Sequence, residues 1–558
     1  MPPYPLAARN DARAAVAAFP KSDETTSSAL GMTEAAIAAE PAEPPRPTGL
    51  RFVLLVFFAT MATTAYDFTW TVVSVALPHM QGTFSTTPDQ IAWVLIGFML
   101  GSATATASAG WFSNRFGRKN LFLFATAGYT ITLIGCGMSE TLIDATVWRF
   151  VQGLVGAPLI PLGQTIVVDA FPKHLHGKAT SIWGIGVMVG SVAGPVGGGF
   201  LLEDYSWPWV FYVTVPVGVI AFIGTWIFVP ASKPDKSQKF DWFGFMTLVG
   251  GAGMLQLALA RGEREEWFES TEVVIEFMAA AFLIYLFIMH TIFAKRPFVS
   301  RELLSDRNFM IGMLFVAIIG SIIVLPNFLL PLLLQQVAGY PPAETGWMMM
   351  YRGAGVLCGL MVVGQIAERF PPKTLIVFGL TLMAVPTIFM AQWTVQLPVH
   401  EVAWTNFVQG LGGSFIWVPI STLALGHLGR KVQDQGYSLF YLFFELGSSI
   451  GVALIVGRHV RDTQINHAAL TEHINPFNEL FRYEAIARNW SHDDAAGLAA
   501  LEAEIGLQST MIAYNNAFFT TLLLAVALIP VLYLFRTGKK KLAAATNPEI
   551  EPPPVAAE

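Results

Sequence analysis

Charge is scarce in this chain. Of its 558 residues, 13% are Asp, Glu, Lys or Arg, about half the ~25% of an ordinary globular domain. Cysteine is scarcer still. Cys136 and Cys358 lie in separate apolar runs, which leaves no disulfide framework and no metal site to expect. There are no clustered acidic metal ligands, no Ser/His pair and no His-rich motif near an interface, so no catalytic residues are assigned. His174 and His176 flank a basic loop and read as interface residues. The first 50 residues lack an apolar stretch after a basic start; this excludes a signal peptide, and their Ala-, Pro- and Glu-rich composition reads as a disordered tail.

What the chain has instead is apolar surface. Hydrophobic residues make up 54%, with 42 phenylalanines, more than an aqueous fold can hide. The bilayer is therefore the expected solvent. Apolar runs near 20 residues, the length that crosses it, fall at 52–78, 89–112, 120–138, 142–168, 179–202, 210–230, 242–260, 272–294, 309–333, 343–366, 374–392, 401–425, 435–457 and 513–535. The expected fold is an all-α polytopic membrane protein of fourteen spans. An even number places both termini on one side.

The loops set the orientation. Sixteen Lys and Arg, from Arg115 to Lys431, lie in loops 2–3, 4–5, 6–7, 8–9, 10–11 and 12–13, whereas the alternate short loops hold Arg261 and Arg264. By the positive-inside rule both tails, 1–50 and 536–558, are cytoplasmic. Residues 458–512 then form a long non-cytoplasmic loop with helix-like apolar spacing at 493–507, read as a partner surface, a lid or a spacer.

Several stretches share one pattern. GWFSNRFGRK at 110–119 resembles the loop 2–3 signature of the major facilitator superfamily, and GQIAERFPPK at 364–373 is a degenerate echo in the second half. RFVQGLVGAP (Arg149 to Pro158) resembles that family's intramembrane Arg-x-x-Gln-Gly motif. GSVAGPVGGGFL (Gly190 to Leu201) resembles its antiporter motif, and SWPWVFYVTVPVG at 206–218 the segment leading into helix 6. With fourteen spans and the long loop before IAYNNAFF at 512–519, the resemblance is to the drug:proton antiporters of EmrB/QacA type, closer to EmrB.

That resemblance implies two six-helix bundles, 51–230 and 308–535, around a two-helix insertion at 241–294. It implies proton-coupled efflux of hydrophobic or amphipathic compounds across the inner (plasma) membrane, powered by the proton gradient with no cofactor. A narrow-substrate exporter of a metabolite, siderophore or fatty acid is the nearest alternative. A non-transporting sensor or a lipid-modifying enzyme lies further off. The implied partners are small-molecule substrates, protons and lipid, with a periplasmic adaptor and an outer-membrane channel; no nucleic acid is expected.

Proton coupling needs a carboxylate that is neutral in one state and ionised in another. Asp67, deep in the first span, and Glu445, mid-way along the thirteenth, are the candidates. Asp67 stands two residues before Thr69, the position where relatives often carry the acid, so a structural polar role is the competing reading. Arg149 either faces the bundle interior, where the resemblance has it bias a nearby carboxylate, or snorkels to the interface. Asp89 and Asp144 sit at helix starts and read as capping residues. Trp93, Gln152 and Arg352 are the substrate-cavity candidates, Arg352 equally a packing residue. Gly186, Gly190 and Gly194 recur every four residues, with Pro195, Gly198 and Gly199 behind them. They form either a static packing face or a hinge where the bundles meet.

The signature loop supplies the gate candidates Gly110, Asn114, Arg115, Gly117, Arg118 and Lys119. By resemblance Arg118 reaches Asp169 at the end of the fourth span. The family's acid before Arg115 is here Asn114, which supplies no charge. A weaker latch on the closed gate is expected, with Asn114→Asp favouring the outward-open state.

Overall fold

The computed structural model describes residues 49–86, 88–91, 93–231, 240–262, 265–295, 297–474, 490 and 495–535. The reading of 1–48 and 536–558 as tails lies outside these residues, as do the side chains of Asp89 and Pro195. Every regular element among the described residues is helical, and fourteen helices are long and apolar enough to cross a membrane. They are α1 (Gly49–Phe84), α2 (Trp93–Phe116), α3 (Arg118–Gly137), α4 (Leu142–Ala170), α5 (His176–Asp204), α6 (Trp209–Phe228) and α7 (Trp242–Arg261). Then come α8 (Thr271–Phe293), α9 (Arg307–Leu332), α10 (Pro342–Ile366), α11 (Pro372–Met390), α12 (Val399–Leu425), α13 (Arg430–Glu472) and α14 (Ala495–Val531). Helices are the expected solution, because a chain in lipid must satisfy its backbone polar groups within each segment.

Local chemistry sets several ends. Thr141 Oγ1 accepts from the Asp144 amide at 3.1 Å, so Thr141 caps α4 and Asp144 lies in its first turn. Asp241 and Asp306 cap α7 and α9 in the same way. α3 begins after Gly117, whose φ of +87° suits a residue without a Cβ. The RFVQGLVGAP run breaks α4 at Ala157–Pro158, leaving segments Leu142–Gly156 and Leu159–Ala170.

The packing repeats itself. In the first half α1 lies on α5 and α2 on α4; in the second, α9 lies on α13 and α10 on α12. The halves meet along two seams, α2 with α13 and α10 with α5. Each half has its own apolar cores, one built around Phe122, Leu133 and Phe211, another around Phe309, Phe315 and Phe440. α7 and α8 pair with each other, and α7 packs on α2 and α13. α13 and α14 run on into the 458–512 region, past the span ends expected at 457 and 513.

Candidate functional site

The α2–α13 seam carries two polar rungs. At the end nearest the α2–α3 loop, the Ser113 hydroxyl donates to Asp434 of α13. Arg118 grips the same carboxylate with Nε to Oδ2 at 3.1 Å and Nη2 to Oδ1 at 2.7 Å, and donates from Nη1 to Asp169 Oδ2 at 2.5 Å. Gly110 makes the close approach possible, since a Cβ there would lie 2.3 Å from Gln435 Cα. Eleven residues further along both helices (113 to 102, 434 to 445), Ser102 Oγ donates to Glu445 Oε1 at 3.1 Å. At 1.5 Å per residue the rungs are about 16 Å apart. The antiparallel register therefore places Asp434 at the gate and Glu445 near mid-bundle.

Asp67 approaches the same region from the first half. Its carboxylate accepts the Ser191 hydroxyl of α5. The preceding residue, Tyr66, has its hydroxyl 3.2 Å from Ser102 Oγ. A hydroxyl can therefore link Glu445 to the chain segment that bears Asp67. Both acids are half-buried, one from each half. Nearer the gate, Tyr441 of α13 donates to Gln164 Oε1 of α4 at 2.7 Å, another tie across the halves.

Two arginines lie within the spans, Arg149 one ring away from the Tyr66–Ser102 contact. Arg149 is 0% exposed, donates from Nη1 to Gln152 Oε1 at 2.6 Å and from Nε to the Val94 carbonyl at 3.3 Å, and covers the Phe98 ring at 4.2 Å. It makes no ion pair among the described residues, and its full burial excludes the snorkelling alternative. Arg352 is likewise buried, donating to Gln409 Oε1 at 2.9 Å and to the Ile323 carbonyl at 3.0 Å. Gln152 Oε1 is taken by Arg149, while Gln152 Nε2 and Arg149 Nη2 are buried with no hydrogen-bond partner among the described residues. Trp93 opens α2, beside the Val94 carbonyl that Arg149 uses, and is half-buried.

The glycine motif does not face the other half. Cβ atoms at Gly186, Gly190, Gly194 and Gly198 would collide with Thr60, Thr64, Thr71 and Val72 of α1, within the same half. At Gly199 nothing lies within 4 Å. The α5 surface that meets the other half is a different one, where Ser181, Gly184 and Val192 face Gly364, Leu360 and Gly353 of α10. The small residues are therefore a packing face inside one bundle, and the hinge reading loses its interface.

Three gate residues take individual roles. Gly117 turns the chain, Lys119 Nζ donates to the Trp226 carbonyl at 2.7 Å, and Arg115 lies in the last turn of α2. Asp434, which sequence reading passed over, is the acid that meets Ser113 and Arg118 from across the seam. Ser102, Ser191 and Gln409 were missed as well. NFVQGLGG at 406–413 repeats the RFVQGLVG of α4 and was the available signal for Gln409.

Fourteen apolar helices in paired bundles that meet along two seams have the architecture of a membrane transporter. The chain belongs to the Major Facilitator Superfamily, whose family model matches residues 59–454. It is similar to the multidrug export protein EmrB of Haemophilus influenzae, 27% identical over 87% of this chain and 96% of that one. The Escherichia coli K12 protein of the same name is 29% identical over 77% and 84%. The fatty acid resistance protein FarB of Neisseria gonorrhoeae is 27% identical over 83% and 92%. Among solved structures, the proton:xylose symporter XylE aligns with a TM-score of 0.54 at 12% identity, covering 87% of this chain and 99% of that one, which supports the fold.

Proposed function

We propose that this protein exports hydrophobic or amphipathic compounds in exchange for protons, by alternating access across the inner (plasma) membrane, with both termini cytoplasmic. One observation carries the reading: each half contributes one half-buried acid, Asp67 and Glu445, and each acid accepts a serine hydroxyl. A hydroxyl donates to an ionised carboxylate and accepts from a protonated one, so loading or releasing a proton keeps the local network intact. The names of the EmrB relatives support the substrate class, and the paired loop charges support the orientation. The energy source is the proton gradient. In proteoliposomes, dye efflux should depend on an imposed pH gradient in the wild type and lose that dependence in Asp67→Asn or Glu445→Gln. Unchanged, gradient-dependent efflux in both variants would sink the coupling assignment.

The FarB likeness favours a second reading, a narrow exporter of fatty acids. A substrate panel separates the two, since a narrow exporter moves long-chain fatty acid and no cationic dye. For partners, α13 is 43 residues long, about 65 Å against a ~30 Å hydrocarbon core. Its far end pairs with α14 through His467–Glu502 at 2.9 Å and Asn516–Asp462 at 3.2 Å. This projection is the proposed seat of a periplasmic adaptor leading to an outer-membrane channel. Shortening it should spoil export across a two-membrane envelope while vesicle transport persists; loss of both would refute the adaptor role.

A further inference from the structure

The two seams between the halves are related by the internal duplication that matches Gly110 to Gly364, yet they are built differently. The α2–α13 seam holds the two serine–carboxylate rungs, and α7 lies along it. Gln256 of α7 donates to Ser449 of α13 at 2.7 Å. At the gate end, Gln435 of α13 donates to the Phe298 carbonyl at 2.6 Å and accepts from the Ser300 amide at 3.1 Å, fastening the chain that follows α8. Asp241 stiffens this foot by accepting from the Phe298 amide at 2.9 Å and contacting His290 Nε2 at 2.8 Å. Toward α2 the foot offers a ring instead: Phe240 packs on Trp111 with centroids 4.4 Å apart. Among the described residues the insertion's hydrogen bonds to the bundles go to the second half, while Phe240 meets α2 ring to ring.

The α5–α10 seam has none of this. Its described contacts are apolar or small, with Leu360 against Gly184, Val192 against Gly353 and Ser181 against Gly364. No ion pair crosses it among the described residues, and α7 packs on the opposite seam. A seam lined by carboxylates and overlaid by another helix is a poor path for a lipid-soluble molecule, because polar groups cost free energy when apolar material displaces their partners. A bare apolar seam has no such penalty.

We propose that the two-helix insertion closes the α2–α13 seam to the bilayer, and that membrane-dissolved substrate reaches the central acids between α5 and α10. This rests on the export reading above. The test uses the full chain in proteoliposomes, a lipophilic dye carrying a diazirine, and unlabelled dye as competitor, with labelled peptides mapped. Competable label should fall on 176–204 and 342–366 about tenfold more than on 93–116 and 430–457, the ratio given by about 1.4 kcal/mol between the seams. Phe240→Ala, which unfastens the foot from α2, should raise the label on 93–116. Equal label on both seams, label concentrated on α2 and α13, or a Phe240→Ala pattern identical to wild type overturns the proposal. If Phe240→Ala does not fold, the wild-type map alone decides. A wild type that takes no competable label overturns the export reading itself, a result distinct from label on the wrong seam.

Discussion

Removing the Asp434 charge is the sharpest test of the gate. In Asp434→Asn the amide oxygen still accepts from Ser113, but the ionic half of the Arg118 grip is gone. Two charge-assisted contacts end on Asp434, at 3.1 and 2.7 Å, while the 2.5 Å contact to Asp169 remains. Such contacts are worth roughly 1.5–3 kcal/mol when wholly buried. Arg118 is 16% exposed and keeps one carboxylate, so the loss is discounted to ~1–2 kcal/mol, about 5- to 30-fold in the closed-to-open ratio. Asp434 and Arg118 lie on opposite halves, so this energy acts on gate closure rather than on either bundle. The assay is labelling of Ser181→Cys, buried at the same end of the other seam, by an impermeant maleimide in a background lacking Cys136 and Cys358. The rate should rise with the open fraction. Asn114→Asp, which restores an acid beside Ser113, should bring it back down. A rate within about twofold of the parent in Asp434→Asn refutes the latch; a raised rate that Asn114→Asp fails to lower refutes the exchange of acid across the seam. Alone, Asn114→Asp now has a small expected effect, because Asp434 already occupies the role.

The remaining predictions concern packing. Gly190→Ala places a Cβ about where the Thr64 carbonyl now stands, 2.5 Å away, with the Phe68 amide at 3.1 Å. Both are backbone atoms, so α1 and α5 must part, at ~1–3 kcal/mol, read as a lower Tm in detergent. Gly199→Ala, with nothing within 4 Å, should match or slightly exceed wild type; equal losses at both sites would refute the α1–α5 contact. Arg352→Lys loses the fork that reaches Gln409 and the Ile323 carbonyl together, for ~1–2 kcal/mol of stability. Gln409→Ala on top of it should cost less than in the wild type, losing the bond to Thr387 Oγ1 at 2.8 Å but no longer the one to Arg352, and full additivity in the double-mutant cycle would show that the two do not interact.

Fourteen spans were legible because apolar length is a direct consequence of bilayer thickness, and it does not depend on which helix meets which. Asp67 and Glu445 stood out for the same reason, as isolated acids in long apolar runs. Asp434 did not. In RKVQDQG it reads as one more charge at a basic helix start, and only the antiparallel register of α2 against α13 carries it to Arg118. The serines were hidden by their number; a hydroxyl inside a helix ordinarily bonds the carbonyl a turn back, as Thr126 and Thr165 do here. The glycine stripe was read as a close-packing face or a hinge between the bundles, and which helix it meets is a property of the fold alone.

The arginines show why position in a motif and role in a site differ. Gly153 sits over the Phe98 carbonyl, where a Cβ would be 2.2 Å away, and Gly410 sits over the Arg352 carbonyl at 2.1 Å. Gly101 over Phe150 and Gly355 over Phe407 repeat the relation at 2.1 and 2.0 Å. The register equates Phe98 with Arg352 and Arg149 with Asn406. In the first half the cation is on α4 and stacks on a ring of α2; in the second it occupies that ring's place on α10. Both guanidiniums end on the equivalent glutamine, Gln152 or Gln409. What the duplication has kept is therefore a buried guanidinium on the equivalent glutamine, within α4 in the first half and across α10 and α12 in the second. A group that directed a proton to a particular acid would be held to one side of that acid. One that ties two helices together need only be present, and each buried guanidinium makes such a tie here, Arg149 from α4 to the Val94 carbonyl of α2 and Arg352 from α10 to Gln409 of α12.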